Sequence, residues 1–163
     1  MKRFKYLYFT NALNKPYFNY WFLKKLKVKE EDDGNYLSQP SATSYEDGGI
    51  SWTWNKMDVT GEGTVATSGT SYMTDVLPLK KPIETGVSYT FSVAEALPRR
   101  TSLYVALYNE QGNTTQQFIA ALVSSRTFTS NNNYTNFRLY LTSRRGEVLD
   151  LTLKDIKIVK DET

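Results

Sequence analysis

The chain has 163 residues, which is enough for one domain with a hydrophobic core and short for two. It contains no cysteine and no histidine, which excludes disulfide bonds and thiolate zinc sites and removes the side chain most often used as a general base. The net charge is +3, but residues 1–29 hold eight lysines or arginines and no acid, so the first 29 residues carry +8 and the rest −5. This asymmetry predicts that the N-terminal part meets an acidic partner.

Residues 1–34 form the first predicted unit, an N-terminal attachment arm that ends in the acidic run 30–33 and Gly34. Its aromatic side chains fit a strand, a hairpin or a short helix that starts at Pro16. A disordered nucleic-acid arm would contain few aromatic residues, so the pattern favours a protein partner, and nucleic acid is the weaker hypothesis. The aromatic residues assigned to the arm are Phe4, Tyr6, Tyr8, Tyr17, Phe18, Trp21 and Phe22.

The basic start of the chain is not followed by the long apolar run of a signal peptide, because residues 6–9 give way to polar residues at once. No other run approaches the ~20 apolar residues that a membrane helix needs. The sequence therefore predicts a protein made in the cytoplasm, with no signal peptide and no membrane insertion.

From Asn35 onward, short alternating segments recur every ~8–15 residues between turn residues, which is typical of an antiparallel β-sandwich. The predicted second domain spans residues 35–163. Its predicted strands are 35–38, 50–58, 63–68, 72–79, 87–93, 103–107, 118–122, 137–141 and a final strand, 149–159.

The final strand contains a change of face. Leu149, Leu151 and Leu153 are odd-numbered inward candidates, whereas Ile156 and Ile158 are even-numbered. Because side chains alternate strictly along a strand, the change requires an extra residue, and we predict a β-bulge between Lys154 and Asp155.

Four segments of residues 35–160 resemble the galactose-binding-like jelly rolls of carbohydrate-binding modules, above all those found in bacteriophage virion proteins. They are Asn35-Tyr36-Leu37, the Tyr45–Gly49 turn with Trp52 and Trp54, the strand Gly86–Val93, and the end Leu149–Val159. The resemblance implies a jelly-roll β-sandwich used for adhesion or assembly. It does not by itself imply sugar binding, because one fold hosts many functions.

In a virion, such a chain would be a non-catalytic structural protein: a capsid decoration, head fibre, collar or tail adaptor. Residues 1–34 would dock onto other virion proteins, and the domain would form a homo-oligomer, for which we predict a trimer. The alternative is a carbohydrate-binding module whose main task is to recognise a surface glycan on the host. A third hypothesis is a binder of nucleic acid or anionic surfaces through residues 1–29.

Two groups of residues are candidate ligand-binding positions. Trp52 and Trp54 share one face of a strand, where they could stack on a sugar ring or fill the core. Tyr104, Tyr108, Arg138 and Tyr140 fall on strand faces opposite the predicted core, where they could form a subunit interface, a sugar site or an ordinary solvated face.

Carboxylates are candidates for two other kinds of site. The resemblance implies that Glu46 and Asp155 could hold a structural calcium ion, and surface carboxylates at turns are the plainer interpretation. A glycosidase needs two carboxylates that face each other across a substrate. Glu147, Asp150 and Asp155 share no face in any simple register, so we expect no enzyme.

Overall fold

The computed structural model describes residues 33–110, 116–121 and 124–162, and for residues 116–121 the backbone alone. The compact unit that carries the fold runs from Asp33 to Thr163. All seven aromatic residues assigned to the attachment arm lie outside the described residues, so the prediction for the arm stays a prediction.

The described residues form twelve strands and no helix. The strands are β1 (Ser44–Asp47), β2 (Ile50–Asn55), β3 (Asp58–Thr64), β4 (Thr70–Tyr72), β5 (Leu77–Ile83), β6 (Ser88–Ser92), β7 (Ser102–Tyr108), β8 (Gln116–Ala121), β9 (Ser125–Thr129), β10 (Tyr134–Thr142), β11 (Val148–Leu153) and β12 (Lys157–Lys160). The prediction of an all-β chain is confirmed.

The strands pair into three sheets, and every pair is antiparallel. Sheet A has the order β1-β2-β3-β11. Sheet B has the order β4-β10-β7-β8, and β5 also pairs with β10. Sheet C has the order β12-β6-β9. One cluster of buried side chains draws on all three sheets, which is consistent with a β-sandwich around a single core.

Alternation of apolar and polar residues places the side chains in this core. In β10, Phe137, Leu139 and Leu141 are buried while the residues between them are partly exposed. The same period holds in β2, where every second residue from Ile50 is buried. Since successive side chains of a strand point to opposite faces, β2 and β10 each offer one face to the core and the other outward.

The turn between β1 and β2 requires glycine at two successive positions. Gly48 and Gly49 have φ angles of +57° and +83°, which disfavour other L-residues. A Cβ at Gly48 would lie 2.3 Å from the carbonyl oxygen of Thr70, and one at Gly49 would lie 2.2 Å from that of Thr64. The close approach of two neighbouring segments therefore fixes glycine here as strongly as the turn does.

The prediction of one strand over residues 50–58 is wrong, because β2 ends at Asn55 and the chain forms a hairpin there. The chain reverses at Lys56 and Met57, and β3 runs back along β2 with Asn55 paired to Asp58. The two-residue turn contains no glycine, so the usual sequence signal of a hairpin is missing. Lys56 itself adopts the left-handed conformation, with φ +60°.

The β-bulge predicted between Lys154 and Asp155 is also wrong. β11 ends at Leu153 in sheet A, and β12 begins at Lys157 in sheet C. Asp155, with φ +52°, changes the direction of the chain between them. The five apolar residues of this region are all buried, but the change of face comes from a change of sheet.

The segment of residues 35–37 is joined to sheets B and C. The N–H of Tyr36 donates to the oxygen of Ile158 in β12, and its carbonyl accepts from the N–H of Lys80 in β5, both at 2.8 Å. The buried Asn35 amide donates to the oxygen of Ile156 at 3.1 Å. Its Oδ1 accepts from the N–H groups of Leu37 and Ile158 at 3.0 and 3.1 Å. The opening segment thus lies between the two sheets and is hydrogen-bonded to both.

Candidate functional site

The two tryptophans of β2 lie in the core. Trp52 and Trp54 are 0% and 5% exposed, so neither presents a ring face to solvent. Their indole N–H groups reach across to β4 and the residue after it: Trp52 donates to Ser71 Oγ at 2.8 Å, and Trp54 donates to the oxygen of Met73 at 2.9 Å. The stacking platform predicted for this pair is therefore wrong, and the alternative of core packing is what the structure has.

A row of tyrosines crosses three strands on the outer face of sheet B. Tyr140 of β10 is directly opposite Tyr72 of β4 on one side and Tyr104 of β7 on the other. The rings of Tyr104 and Tyr140 are stacked, with centroids 4.9 Å apart and planes 7° from parallel. The rings of Tyr72 and Tyr140 are 5.6 Å apart and tilted by 56°. We call Tyr72, Tyr104 and Tyr140 the tyrosine row.

The ring spacing equals the ~4.8 Å between neighbouring strands, so Tyr104 and Tyr140 stand side by side on the sheet. Each of these two rings covers one face of the other. The pair therefore leaves no free ring face between Tyr104 and Tyr140, which suits contact with a large partner better than stacking on one sugar ring.

Arg138 lies one step along the same face of β10 and completes the cluster. Its guanidinium carbon is 3.6 Å from the ring centroid of Tyr72, in a cation–π contact. Its Nε–H donates to the oxygen of Thr74 at 2.9 Å, and an Nη–H donates to the hydroxyl of Tyr45 at 3.3 Å. That hydroxyl in turn donates to Asp75 at 3.2 Å. The side chain of Arg138 is thus held in place before any partner arrives.

Two tyrosines of this face, Tyr140 and Tyr108, have a pKa above that of an ordinary tyrosine. Burial, with smaller contributions from Tyr104, Tyr72 and Tyr108, raises the pKa of Tyr140 to about 12. Burial is also the main cause of the raised pKa of Tyr108, which Arg138 partly offsets. Both hydroxyls are therefore neutral donors at every physiological pH.

The outer faces of sheets A and B differ in charge. Among the outward-facing residues of β4, β7 and β10, Arg138 carries a charge and the others are neutral. On sheet A, Glu46, Ser51, Glu62 and Asp150 are paired in one row across four strands, and all four are exposed. A partner that binds one face is therefore disfavoured electrostatically on the other.

The two residues assigned to calcium lie in different surroundings. Glu46 is in β1 and accepts a hydrogen bond from Ser51 at 3.3 Å. Asp155 lies between β11 and β12 and forms an ion pair with Lys157. Among the described residues, no group of three or more acidic side chains is arranged to hold a metal ion. The structure thus does not bring the predicted pair together.

Two shallow clefts flank the tyrosine-bearing sheet. One lies at the edge between β1 and β4 and is lined by residues that include Tyr45, Trp54 and Asp75. The other is lined by Asn109, Asn132 and Asn133 among others. The Oδ1 atom of Asn109 is itself buried and has no hydrogen-bond partner in the described part of the chain.

Sequence reasoning found Tyr104, Tyr108, Arg138 and Tyr140 on one outer face, and the structure brings them together there. It missed Tyr72 and Tyr45. Tyr72 reaches the cluster because β4 pairs with β10, 68 residues further along the chain by the pairing of Tyr72 with Tyr140. A period-2 pattern indicates a face, but it does not indicate which strands are neighbours.

In the described part of the chain, no helix is long and apolar enough to cross a membrane. Comparisons with protein-family models, with curated proteins and with solved structures each return no match. The function must therefore be argued from the residues themselves.

Proposed function

We propose that the chain is a non-catalytic structural protein of a bacteriophage virion: a capsid decoration, head fibre, collar or tail adaptor. In this proposal residues 1–34 dock onto other virion proteins and tie subunits into a trimer. The sandwich, of jelly-roll type, is displayed and contacts its neighbours. The observation that carries the proposal is the tyrosine row with Arg138 on the outer face of sheet B.

The shape of this face supports a macromolecular partner. Its polar groups lie across three adjacent strands, whereas small ligands are usually held in concave pockets. Tyrosine and arginine are the residue types that most often dominate the binding energy of protein interfaces. The face therefore has both the extent and the composition of a protein-binding surface.

The side chains of this face are already ordered, which favours tight binding. Tyr104 and Tyr140 fix each other by stacking, and Arg138 is fixed by Tyr72 and the oxygen of Thr74. Ordering a flexible side chain on association costs ~0.5–1.5 kcal/mol, and a preordered cluster avoids much of that cost.

The charge of residues 1–29 supports the role of the arm. A +8 segment ahead of a domain of net negative charge can bind an acidic surface while the domain is held away from it. The high aromatic content gives such a segment apolar surface to bury on a protein partner.

Density-gradient purification of phage particles tests the proposal. The gene would be expressed, tagged, in cells infected with the phage that carries it. We expect the full-length protein to sediment with the particles and a variant that lacks residues 1–32 to stay at the top of the gradient. Full-length protein that remains at the top, while the capsid protein sediments, would contradict the proposal.

A carbohydrate-binding role is the second candidate, and the cleft beside β1 favours it. Tyr45 and Asp75 line that cleft, and an aromatic ring beside a carboxylate suits a sugar. Titration with host cell-wall polysaccharide should then give saturable binding that Tyr45→Ala and Asp75→Ala abolish. Tyr104→Ala, a matched tyrosine outside the cleft, should leave it unchanged; equal losses in all three variants would contradict a sugar site in the cleft.

A further inference from the structure

Four arginines lie in two turns at one end of sheet B. Ser102 at the start of β7 is paired with Thr142 at the end of β10. Arg99 and Arg100 precede Ser102 by three and two residues, and Arg144 and Arg145 follow Thr142 by two and three. At ~3.3 Å per residue, all four Cα atoms lie within ~10 Å of that pair along the chain. All four side chains are exposed.

Each pair of arginines lies in a hydrogen-bonded turn. The N–H of Thr101 donates to the oxygen of Pro98, and the N–H of Glu147 donates to that of Arg144, both at 3.1 Å. The third residue of each turn has a positive φ, +63° at Arg100 and +72° at Gly146. This is the pattern of a type II turn, whose third position favours glycine. We call these segments, Pro98–Thr101 and Arg144–Glu147, the arginine turns.

The rest of the fold holds the arginine turns in place. The N–H of Ser143 donates to the oxygen of Gly69 at 2.9 Å, and the N–H of Gly146 donates to that of Val65 at 2.9 Å. The hydroxyls of Thr101 and Ser143 are 3.4 Å apart, which joins one turn to the other. The guanidinium groups are therefore presented from a fixed backbone.

None of the four guanidinium groups is ion-paired or hydrogen-bonded within the described part of the chain. The arginine turns contain one acidic residue, Glu147. Glu95, four residues before Arg99, is already ion-paired with Lys154 at 2.9 Å. Four exposed cations without a counter-ion among the described residues are therefore free to attract an added anion.

Arg100 adds a second observation. It occupies the one position of its turn where glycine is the favoured residue. A side chain kept in the left-handed region carries a backbone cost that glycine would remove. A contact between its guanidinium and a bound anion would offset that cost.

We propose that the arginine turns bind an acidic polysaccharide. The arginine fork forms paired hydrogen bonds with carboxylate and with sulfate-like oxyanions. The hydroxyls of Ser102, Thr142 and Thr70 lie beside the turns in one row of sheet B, where they can bond sugar hydroxyls. This site does not use the tyrosine row or the arm, so it is tested separately from the proposed function.

A single sugar chain fits this site better than duplex nucleic acid. The turns are about two strands wide, or ~10 Å, which is half the width of a duplex. The second arginine turn is followed by β11, which is a strand of sheet A. The outer face of sheet A exposes Asp150 and Glu62. The wider footprint of a duplex would bring phosphates near these carboxylates, whereas one sugar chain can stay on the turns.

Residue-resolved NMR titration of the full-length protein tests the proposal, because the basic arm could bind polyanions by itself. Oligogalacturonate and dextran sulfate serve as carboxylate and sulfate probes, and neutral dextran serves as the control. We expect the Nε–Hε signals of the four arginines to shift with both or one of the acidic probes, and not with dextran. An adverse result is a shift confined to residues 1–29, or an equal or stronger shift with duplex DNA.

Two matched variants separate binding from backbone strain. Arg100→Gly and Lys56→Gly each remove one cation from a residue with a left-handed backbone conformation. Lys56 is the control for binding, because it precedes β3, whereas Val65, which contacts the second arginine turn, follows β3. We expect both to raise the thermal midpoint of unfolding, and Arg100→Gly alone to weaken binding, by about tenfold. Equal effects of both variants on binding, or unchanged binding in Arg144→Ala/Arg145→Ala, would overturn the proposal.

Discussion

Trp52 lies across the backbone of Gly61, its partner on the neighbouring strand. A Cβ at Gly61 would be 2.2 Å from Cζ3 of the indole, although the backbone there has no positive φ. The glycine is thus required by the tryptophan, as in sheets where an aromatic ring covers a glycine on the next strand.

Gly61→Ala should therefore destabilise the protein by ~1–3 kcal/mol, the usual cost of overpacking a core. Urea unfolding measures the loss. Val148→Ala is a suitable control, because Val148 is 75% exposed and its truncation should change the free energy of unfolding by less than ~0.5 kcal/mol. Equal stability of Gly61→Ala and the wild type would contradict the position assigned to Trp52.

Asn35→Ala should cost ~3 kcal/mol or more. It leaves the buried N–H groups of Leu37 and Ile158 and the oxygen of Ile156 without their amide partner, and each unsatisfied buried group costs ~1–3 kcal/mol. The exposed Asn55 at the end of β2 provides the control, since Asn55→Ala should be nearly neutral in the same chemical denaturation. If the two alanine variants unfold at the same urea concentration, the side chain of Asn35 does not tie the opening segment to Ile156 and Ile158 as described.

At the scale of elements, the tyrosine row makes stability depend on pH in the alkaline range. The pKa of Tyr140 is about 12 in the folded chain and near 10 when unfolded, so the folded state holds its proton longer. The contribution is fully present below pH 10 and is lost as pH rises through about 12.

Tyr140→Phe should make the decline in stability between pH 10 and 12 shallower than in the wild type. Urea unfolding midpoints of the wild type and of Tyr140→Phe at pH 8, 10 and 11.5 give the pH dependence of stability of each protein. Tyr45→Phe is a control that lies outside the tyrosine row. A wild-type slope that is the same in Tyr140→Phe would show that the ring of Tyr140 is open to solvent.

The elements that sequence predicted are those with strong alternation, such as β6, β7 and β10. β1 and β9 were missed, because β1 has no buried residue and β9 has only Phe128. Both exist because a neighbouring strand offers an edge, which is information about pairing and not about local pattern. The same holds for the candidate site. Alternation along the strands predicts that Tyr104 and Tyr140 face outward, but Tyr72 joins them only because β4 pairs with β10.

The arginine turns show the same limit. The dipeptide at Arg144, followed by Gly146, was recognisable as a turn in the sequence. Its proximity to Arg99 and Arg100 depends on the pairing of β7 with β10, which joins residues some 40 positions apart, as Ser102 with Thr142. Two separate arginine pairs can be assigned to one site only after the pairing of β7 with β10 is known.

At the scale of the whole molecule, the outer surfaces divide the domain into regions of different chemistry. Sheet A is acidic, the outer face of sheet B carries tyrosines and one arginine, and one end carries the arginine turns. Such a division suits a protein held in one orientation, with different neighbours on different sides. In our proposal, residues 1–29, which hold eight lysines or arginines and no acid, attach the domain to its partner.

The oligomeric state tests this account most directly. Size-exclusion chromatography with light scattering should give the full-length protein three times the 18.7 kDa of one chain. A variant without residues 1–32, which keeps Asp33 and its hydrogen bond to Asn35, should elute as a folded single chain. A full-length monomer, or a shortened variant that still forms the trimer, would show that the N-terminal segment does not assemble the protein.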